Sequence, residues 1–305
     1  MPNRLRARAR QHFQPAAALN VWQWAEANIV LSARITPHPG PYRTNWCPYV
    51  REPQEAFTDP ETETIVWCWA SRTSKTESIL NCVRYTIACD PQPVLFVMPT
   101  GELAESFSET RLRPSIEDSP VLAKEIPENL DNFRKTEMHM KRCTLWLVGA
   151  NSPALLKGRG VAILVGDEVD TWRGATDKES GALQLAMDRT KDRWNRKHLL
   201  TSTPTVDSGQ IWREFKKGDC RYYFVPCPHC GHMQHLRLKQ IQWAKEAKLP
   251  DGTWDLKLVR ESAYYECENE ACKGTIEDVH KPMMLAKGKW RRRTRTGSRS
   301  AGATT

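Results

Sequence analysis

Two carboxylates, Asp167 and Glu168, stand side by side directly after the apolar run Val161–Val165. A short apolar run predicts a buried parallel strand, and open α/β sheets bind ligands at the carboxyl ends of their strands. In P-loop ATPases the first acid of such a pair holds Mg²⁺, and the second orients or deprotonates the attacking water. The alternative is an exposed turn with two solvated acids. Asp170, close behind the pair, is interpreted as a solvated loop residue or a partner of the pair.

A Lys-Thr pair, Lys75 and Thr76, stands in the small-residue segment WASRTSKTE. It follows the strand candidate Thr64–Trp69 and precedes an amphipathic stretch that predicts a helix. This is the order of a P-loop, in which backbone amides and the lysine hold phosphates and the threonine hydroxyl ligates Mg²⁺. Trp69 and Ser74 occupy the two glycine positions of that motif. An ordinary Ser/Thr-rich turn with a solvated lysine is therefore the alternative.

Further strand candidates surround these two motifs. Pro93–Pro99 and Thr144–Ala150 lie between them, and Lys197–Thr205 follows the acid pair. This succession predicts one parallel sheet with crossover helices, an α/β fold of the P-loop NTPase class. The last candidate contains three hydroxyl side chains that could sense the γ-phosphate, unless they form a plain turn; they are Thr201, Ser202 and Thr203.

Four of the ten cysteines form the pattern C-x2-C-x36-C-x4-C, and they are Cys227, Cys230, Cys267 and Cys272. Paired thiolates on two knuckles are the ligand set of a tetrahedral structural Zn²⁺, which leaves no open position for catalysis. The second knuckle is two residues longer than usual, so His229 and His232 are possible substitute ligands. A disulfide or unliganded thiols are the alternatives. The other six cysteines are expected to pack as small core residues in a reduced compartment.

The charge of this 305-residue chain, formally +9, is concentrated at its two ends. Residues 1–10 contain four arginines and residues 291–305 contain five, and neither segment contains an acid. Such ends suit salt-sensitive contact with DNA phosphates, although solvated disordered tails would have the same composition. Apolar runs stay well short of the ~20 residues that a membrane span needs, so we expect no membrane association.

We predict four segments from these patterns. Residues 1–60 are a basic arm and a proline-rich lead-in. Residues 61–218 form a P-loop ATPase core, and residues 219–290 form a zinc-ribbon-like module rich in strands. Residues 291–305 form a disordered basic tail.

The chain resembles the lambda-type (GpA-like) large terminase subunits of tailed phages. The resemblance covers roughly residues 20–290 in the family's order. It runs through segments that include PYRTNWCPYVREPQEAF, WASRTSKTE, VLFVMPT, LVGANSPALLKGRG, ILVGDEVDTW, RKHLLTSTPT and VPCPHCG. This set is far more specific than either nucleotide motif alone.

The resemblance implies an ATP-driven motor that packages double-stranded DNA into proheads. Lys75 would contact phosphates, Thr76 and Asp167 would bind Mg²⁺, and Glu168 would act on water. Arg72 would stabilise charge during hydrolysis, unless an arginine of a neighbouring subunit does so. In such motors the lead-in often covers the adenine, and Gln54 is the candidate contact. The segment around these residues would bind nucleotide and couple its hydrolysis to movement, through Ser71, Arg72, Thr73, Ser74, Thr201, Ser202 and Thr203.

The resemblance also implies partners and a place of action. These are double-stranded DNA, a terminase small subunit, the portal protein of the prohead and further copies of this chain. The place is the cytoplasm of the bacterial host, transiently at the prohead portal. Family members continue into a nuclease domain, whereas residues 291–305 contain no Asp or Glu. We therefore expect this chain to have no endonuclease activity of its own. It would be either a truncated prophage remnant or an ATPase fragment whose nuclease lies elsewhere. A non-enzymatic DNA-binding remnant and a helicase-like ATPase of another family are the alternative functions.

Overall fold

The structure, a computed structural model, describes residues 19–292 except 35, 37, 159 and 175–179. The chain divides into two compact units. One contains the residues up to Thr44 together with Val50–Phe215, and the other contains Asn45–Tyr49 together with the residues from Lys216 onward. The described parts of the predicted lead-in therefore fall, apart from Asn45–Tyr49, within the same unit as the central sheet. Residues 1–18, nearly all of the predicted basic arm of residues 1–19, lie outside the described residues.

The first unit is built on a six-stranded sheet and a separate two-stranded ribbon. Its strands are β1 Val30–Leu31, β2 Gly40–Pro41, β3 Thr64–Cys68, β4 Val94–Met98, β5 Glu137–His139, β6 Thr144–Gly149, β7 Ile163–Gly166 and β8 Lys197–Ser202. The ribbon pairs β1 with β2. The large sheet has the order β3-β8-β7-β4-β6-β5, and every pairing in it is parallel except that of β5 with β6.

Helices connect these strands. They are α1 Val21–Asn28, α2 Arg51–Thr58, α3 Lys75–Ala88, α4 Gly101–Phe107, α5 Arg113–Glu117, α6 Pro120–Ala123, α7 Pro153–Lys157, α8 Ala182–Met187 and α9 Gln210–Lys217. A π-helical segment, Ser108–Leu112, joins α4 to α5. The chain passes from the first unit to the second within α9. No helix of the described residues has the length and apolar content needed to cross a membrane.

The predicted α/β fold with a mainly parallel sheet is confirmed. All five residues of β4 are buried, as expected for a central strand that is covered on both faces. The amphipathic stretch after the Lys-Thr pair forms α3. Its predicted apolar face is almost completely buried and consists of Ile79, Leu80, Val83 and Ile87.

The strand before the acid pair begins later than predicted. β7 starts at Ile163, whereas the apolar run starts at Val161. Val161 and Ala162 are buried, but their amides donate to the carbonyls of Arg189 and Pro93 instead of to a neighbouring strand of the sheet. Burial alone therefore accounts for their apolar character.

The second unit contains two three-stranded antiparallel sheets. Its strands are β9 Arg221–Pro226, β10 Met233–His235, β11 Ile241–Gln242, β12 Tyr264–Glu266, β13 Thr275–Ile276 and β14 Lys289–Arg292, and its helices are α10 Leu256–Ser262 and α11 Lys281–Ala286. The sheet orders are β10-β9-β14 and β11-β12-β13. The Nε1 of Trp290 on β14 donates to the carbonyl of Tyr49 at 2.8 Å, which joins the Asn45–Tyr49 segment to this unit.

The predicted tail begins inside this unit. Arg291 and Arg292 are the last residues of β14, where they pair with Tyr222 and Arg221 of β9. The tail prediction was therefore wrong for these two residues, because pairing with β9 includes them in the sheet. The rest of the predicted tail, residues 293–305, lies outside the described residues.

Candidate functional site

Three neighbouring strands end together at one edge of the central sheet. β8 lies between β3 and β7 and is parallel to both. Thr201 and Ser202 on β8 stand opposite Trp67 and Cys68 on β3. This register places the loop after β3, the hydroxyl side chains of β8 and the acids after β7 side by side.

The loop between β3 and α3 begins with an aromatic residue instead of the expected glycine. Trp69 is buried and its ring stacks on that of Trp67, with centroids 4.9 Å apart and planes 9° apart. Its amide donates to the carbonyl of Ser202 at 3.2 Å. Trp69 therefore anchors the start of the loop by packing against β3 and by bonding to β8.

Two residues of this loop have the left-handed conformation that glycine adopts most easily. They are Arg72, with φ 59°, and Ser74, with φ 60°, the residue immediately before α3. Ser74 thus occupies a position whose backbone explains the usual glycine there. Thr73 lies between these two residues, and its Oγ1 donates to the carbonyl of Ala70 at 2.7 Å. This hydrogen bond closes the turn from residue 70 to residue 73.

We predict that Ser74 tolerates glycine but not a β-branched residue. A left-handed conformation costs a non-glycine residue about 1–2 kcal/mol, and glycine offsets part of the relief through its more flexible unfolded state. Ser74→Gly should therefore change the free energy of unfolding by less than about 1 kcal/mol, whereas Ser74→Val should lower it by about 1–3 kcal/mol.

Urea unfolding of both variants measures these differences. Ser106→Val is the control, because Ser106 is an exposed residue within helix α4, where valine costs only the small helix-propensity difference. If Ser74→Val and Ser106→Val lowered the free energy of unfolding equally, the left-handed backbone at position 74 would not be the cause.

Lys75 reaches from the start of α3 across β8 to the second acid. Its Nζ donates to Oε1 of Glu168 at 2.7 Å and to Oγ1 of Thr203 at 3.3 Å. Lys75 is only 6% exposed, so the ion pair with Glu168 is shielded from solvent on the lysine side. The structure therefore brings the loop lysine, an acid and a strand-end hydroxyl into direct contact.

Asp167 is buried at the end of β7. Its Oδ1 accepts hydrogen bonds from Oγ1 of Thr201 at 2.6 Å and from the amide of Glu168 at 3.0 Å. Burial raises the pKa of this carboxyl, and the Thr201 hydroxyl and the Lys75 ammonium oppose that effect only in part. The backbone carbonyl of Asp167 accepts the indole Nε1–H of Trp172 at 2.9 Å, which fixes the strand end from the other side.

Glu168 adopts a left-handed backbone conformation, with φ 49°. This directs its side chain to the end of β8, where Oε2 accepts from Ser202 Oγ at 3.2 Å and from the amide of Thr203 at 3.3 Å. The strand-end hydroxyls therefore contact the acid pair directly. The structure brings together six residues singled out in the sequence, namely Lys75, Asp167, Glu168, Thr201, Ser202 and Thr203.

Other predicted residues lie in the same loop or at the start of α3, and they do not contact the acids. Ser71 and Arg72 are exposed, and within the described residues no hydrogen bond or ion pair joins either of them to Asp167 or Glu168. Thr76, the second residue of α3, is partly exposed beside Lys75. These residues are therefore linked to the site by their position in the chain beside Lys75 and not by a contact with the acids.

Gln54, the candidate adenine contact, is completely buried on α2. Its Nε2 lies 3.4 Å from both Tyr42 Oη and Ser78 Oγ, and Ser78 belongs to the first turn of α3. Its Oε1 is buried without a hydrogen-bond partner in the described part of the chain. Gln54 therefore packs against α3, the helix that follows the phosphate-loop candidate.

Asp170 has structural partners that the sequence did not indicate. Its carboxylate accepts from the amide and Oγ1 of Thr205 at 2.9 and 2.8 Å, and from the amide of Ile211 at 2.7 Å. Burial acts to raise the pKa of this carboxyl, but these hydrogen bonds outweigh it and lower the pKa overall. The residue is therefore not a solvated loop acid.

The four predicted cysteine ligands converge in the second unit. Their sulfur atoms all lie within 4.8 Å of one another, and the Sγ atoms of Cys230 and Cys267 are 3.9 Å apart. Burial raises the pKa of Cys267 to about 12. The hydrogen bond from the His232 amide lowers the pKa of Cys230 to about 6, so thiolate character differs within the cluster.

The turn geometry explains the two extra residues of the second knuckle. In the first knuckle the amide of Gly231, with φ 72°, donates to the carbonyl of Cys227. In the second, the amide of Lys273, with φ 47°, donates to the carbonyl of Asn269. Asn269 thus takes the turn position that a cysteine holds in the first knuckle, and the second knuckle's first cysteine lies two residues earlier.

The two histidines offered as substitute ligands are engaged elsewhere. The Nε2 of His229 lies 2.6 Å from the carbonyl oxygen of Thr275, and that of His232 lies 3.3 Å from Oε1 of Glu268. The geometry therefore favours the four-cysteine set over a set that includes either imidazole.

Comparison with protein families gives a match over most of the chain. Residues 36–290 match the family described as "Phage terminase large subunit gpA, ATPase domain". Curated relatives agree with this match. The chain is 24% identical over 261 residues to the terminase large subunit of Enterobacteria phage P21. This match covers 83% of this chain and 39% of that protein. It is 26% identical over 275 residues to the terminase large subunit of Escherichia phage lambda, which covers 88% of this chain and 41% of that protein.

The chain thus spans about two fifths of the length of these two relatives. Among solved structures, it resembles the large terminase of bacteriophage HK97 with a TM-score of 0.53 and 14% identity, over 79% of this chain and 50% of that one. At this identity the likeness concerns the fold alone.

Proposed function

The chain belongs to the family of phage terminase large subunits of the gpA type, and we propose that it hydrolyses ATP with Mg²⁺ to drive packaging of double-stranded DNA into proheads. The observation that carries this proposal is the contact of Lys75 with Glu168 across the end of β8. It joins the two halves of a P-loop ATPase site, the phosphate lysine and the water-activating acid, beside a row of strand-end hydroxyls.

Lys75 and the loop before it are assigned to the phosphates. The loop ends at the N-terminus of α3, where backbone amides without helical partners favour negative charge. Lys75 is a buried cation at this helix end, and its Nζ, now on Glu168 and Thr203, would turn to a phosphate oxygen when nucleotide binds. The amides of Ser71–Ser74 would complete the cradle.

Mg²⁺ is assigned to Thr76 and Asp167. Both described hydrogen bonds to the Asp167 side chain go to Oδ1, which leaves Oδ2 to ligate a cation. Thr76 follows Lys75 on α3, and carboxylate and hydroxyl oxygens are ligands that Mg²⁺ accepts. The residues therefore fit the ion, which when bound would neutralise charge on the phosphates.

Glu168 is assigned to the attacking water. Hydrogen bonds from Ser202 and Thr203 orient its carboxylate, as activation of a water molecule requires. Ser202 and Thr203, with Thr201, would sense the γ-phosphate through these same bonds. Arg72 would supply positive charge during hydrolysis, and its exposed position on the loop leaves it able to reach the nucleotide.

Zn²⁺ is assigned to Cys227, Cys230, Cys267 and Cys272. Tetrahedral zinc with Zn–S bonds of about 2.3 Å separates its sulfur ligands by about 3.8 Å. The observed sulfur separations, all within 4.8 Å, reach that arrangement with a small contraction. A zinc-ribbon-like module organised by this ion would account for a small core in which Cys227 and Cys267 are buried together with Val225, Ile276 and Met284.

Partners and place of action follow from the proposed role. They are double-stranded DNA, a terminase small subunit, the prohead portal and further copies of this chain, in the cytoplasm of the bacterial host. The expectation that this chain does not cut DNA itself stays a prediction. Plasmid that remains intact with Mg²⁺ or Mn²⁺, with and without ATP, would support it.

A steady-state ATPase assay, with and without double-stranded DNA, tests the proposed function. We expect Mg²⁺-dependent turnover that DNA stimulates. Absence of turnover in folded, nucleotide-binding protein would favour the non-enzymatic DNA-binding alternative. ATP-dependent strand separation of a partial duplex would instead favour the helicase-like alternative.

A further inference from the structure

The carboxylate of Asp170 fastens the start of α9 to the strand end that contains the acid pair. It holds the amide of Ile211, the second residue of α9, and both the amide and hydroxyl of Thr205. First-turn amides of a helix have no partner within the helix, so a carboxylate at this position stabilises the helix end. The fit is close, because a Cβ added to Gly209 would lie 2.5 Å from Asp170 Oδ2.

The backbone of Asp170 is connected to Glu168 through one hydroxyl group. The amide of Asp170 donates to Ser202 Oγ at 3.2 Å. The same Oγ lies 3.2 Å from Glu168 Oε2 and 3.2 Å from the carbonyl of Thr203. A serine hydroxyl has one proton to donate, so it can serve Glu168 or Thr203 but not both fully. Ser202 therefore has two competing acceptors for its proton, one on Glu168 and one on Thr203.

We propose that Asp170 is a positioning residue that transmits a change at Glu168, through Ser202, to the Thr205–Ile211 segment and so to α9. This inference rests on the proposed function, since nucleotide would supply the change by drawing Lys75 away from Glu168. α9 is the helix within which the chain enters the second unit. A shift of its first turn therefore acts on the segment that connects the two units.

Asp170→Asn tests this role against a matched control. The variant keeps the shape of the side chain but removes the charge that holds three donor groups at once. Asp255→Asn is the control, because Asp255 caps α10 through the amides of Lys257 and Leu258, both at 3.0 Å, in the second unit. Each variant weakens one helix cap, but only Asp170 is connected to Glu168.

Three readouts apply to the whole chain: the Kd of ADP, the turnover of ATP, and hydrogen exchange of residues 203–213 with and without ADP. For Asp170→Asn we expect a Kd within about threefold of wild type and a turnover at least about tenfold lower. We also expect loss of the exchange response of residues 203–213 to ADP. Asp255→Asn should keep all three. A response that persists in Asp170→Asn, or a raised KM with unchanged kcat, would overturn the proposal.

A nucleotide-free comparison separates this inference from the proposed function. Lys75→Ala removes the ion pair with Glu168 and should by itself alter exchange of residues 203–213. In the double variant with Asp170→Asn, the Lys75→Ala change should add no further alteration. If the two effects were additive, the connection through Ser202 would be refuted even if the chain bound no nucleotide. If the effects were coupled but ATP turnover were absent, only the proposed function would fail.

Discussion

Glu168→Gln will reduce steady-state ATP turnover by at least about 100-fold while leaving ATP binding nearly intact. Glutamine keeps the size of the side chain and can still accept hydrogen bonds from Ser202 and Thr203. It cannot accept a proton from water, and it no longer offers Lys75 a negative partner. Because bound phosphates supply that negative charge, nucleotide binding should be unchanged or tighter.

Lys75→Ala separates binding from chemistry at the same site. Loss of the buried ammonium should raise the Kd for ATP at least about tenfold, since a charge-assisted contact to phosphate contributes about 1.5–3 kcal/mol. Equilibrium titration with a fluorescent nucleotide and single-turnover hydrolysis measure the two effects. Glu102→Gln is the control, because Glu102 is an exposed glutamate on α4.

Turnover of Glu168→Gln equal to that of wild type would contradict the assignment of Glu168.

Removal of zinc will unfold the cysteine-containing part of the second unit. Structural zinc contributes roughly 10–16 kcal/mol of binding free energy in small domains, more than a module of this size can supply by packing alone. The small core here includes Cys227 and Cys267 themselves. We expect one Zn²⁺ per chain by elemental analysis, and a Cys267→Ser variant with less than about one tenth of that content.

Limited proteolysis should show where the effect lies. Cys267→Ser and chelator-treated protein should be cut within residues 216–292, whereas Cys89→Ser should behave as wild type, since Cys89 is outside the cluster. If Cys272→Ser retained zinc and His232→Ala lost it, the fourth ligand would be His232 and not Cys272. Carefully purified protein without zinc would reject the metal site altogether.

The core of the candidate site could be predicted because local patterns specify it. A strand, a small-residue loop and Lys75 at the start of an amphipathic helix are contiguous in sequence. The apolar run before Asp167 and Glu168 is likewise contiguous. Parallel strands that end at one edge then bring the two motifs together, so the contact of Lys75 with Glu168 needed only the fold class as an additional premise.

The partners of Asp170 could not be predicted in the same way. Thr205 and Ile211 lie 35 and 41 residues farther along the chain, beyond β8. No periodicity connects an acid to amides at such distances. The left-handed backbone at Glu168, which sets the direction of its side chain, also has no signal in the residue type. β5 was missed because a three-residue edge strand is too short to show alternation.

Because β8 lies between β3 and β7, the site sets a requirement on the length of the side chains that meet across it. Strands in a sheet are about 4.8 Å apart, so β3 and β7, with β8 between them, lie about 10 Å apart. The side chains of Lys75 and Glu168 meet across the end of β8, with Nζ and Oε1 2.7 Å apart. Aspartate at position 168 would keep the charge, but its side chain is one methylene shorter, so its carboxylate would extend less far toward Lys75. Side-chain length, as much as chemical type, therefore limits which residues can occupy these two positions.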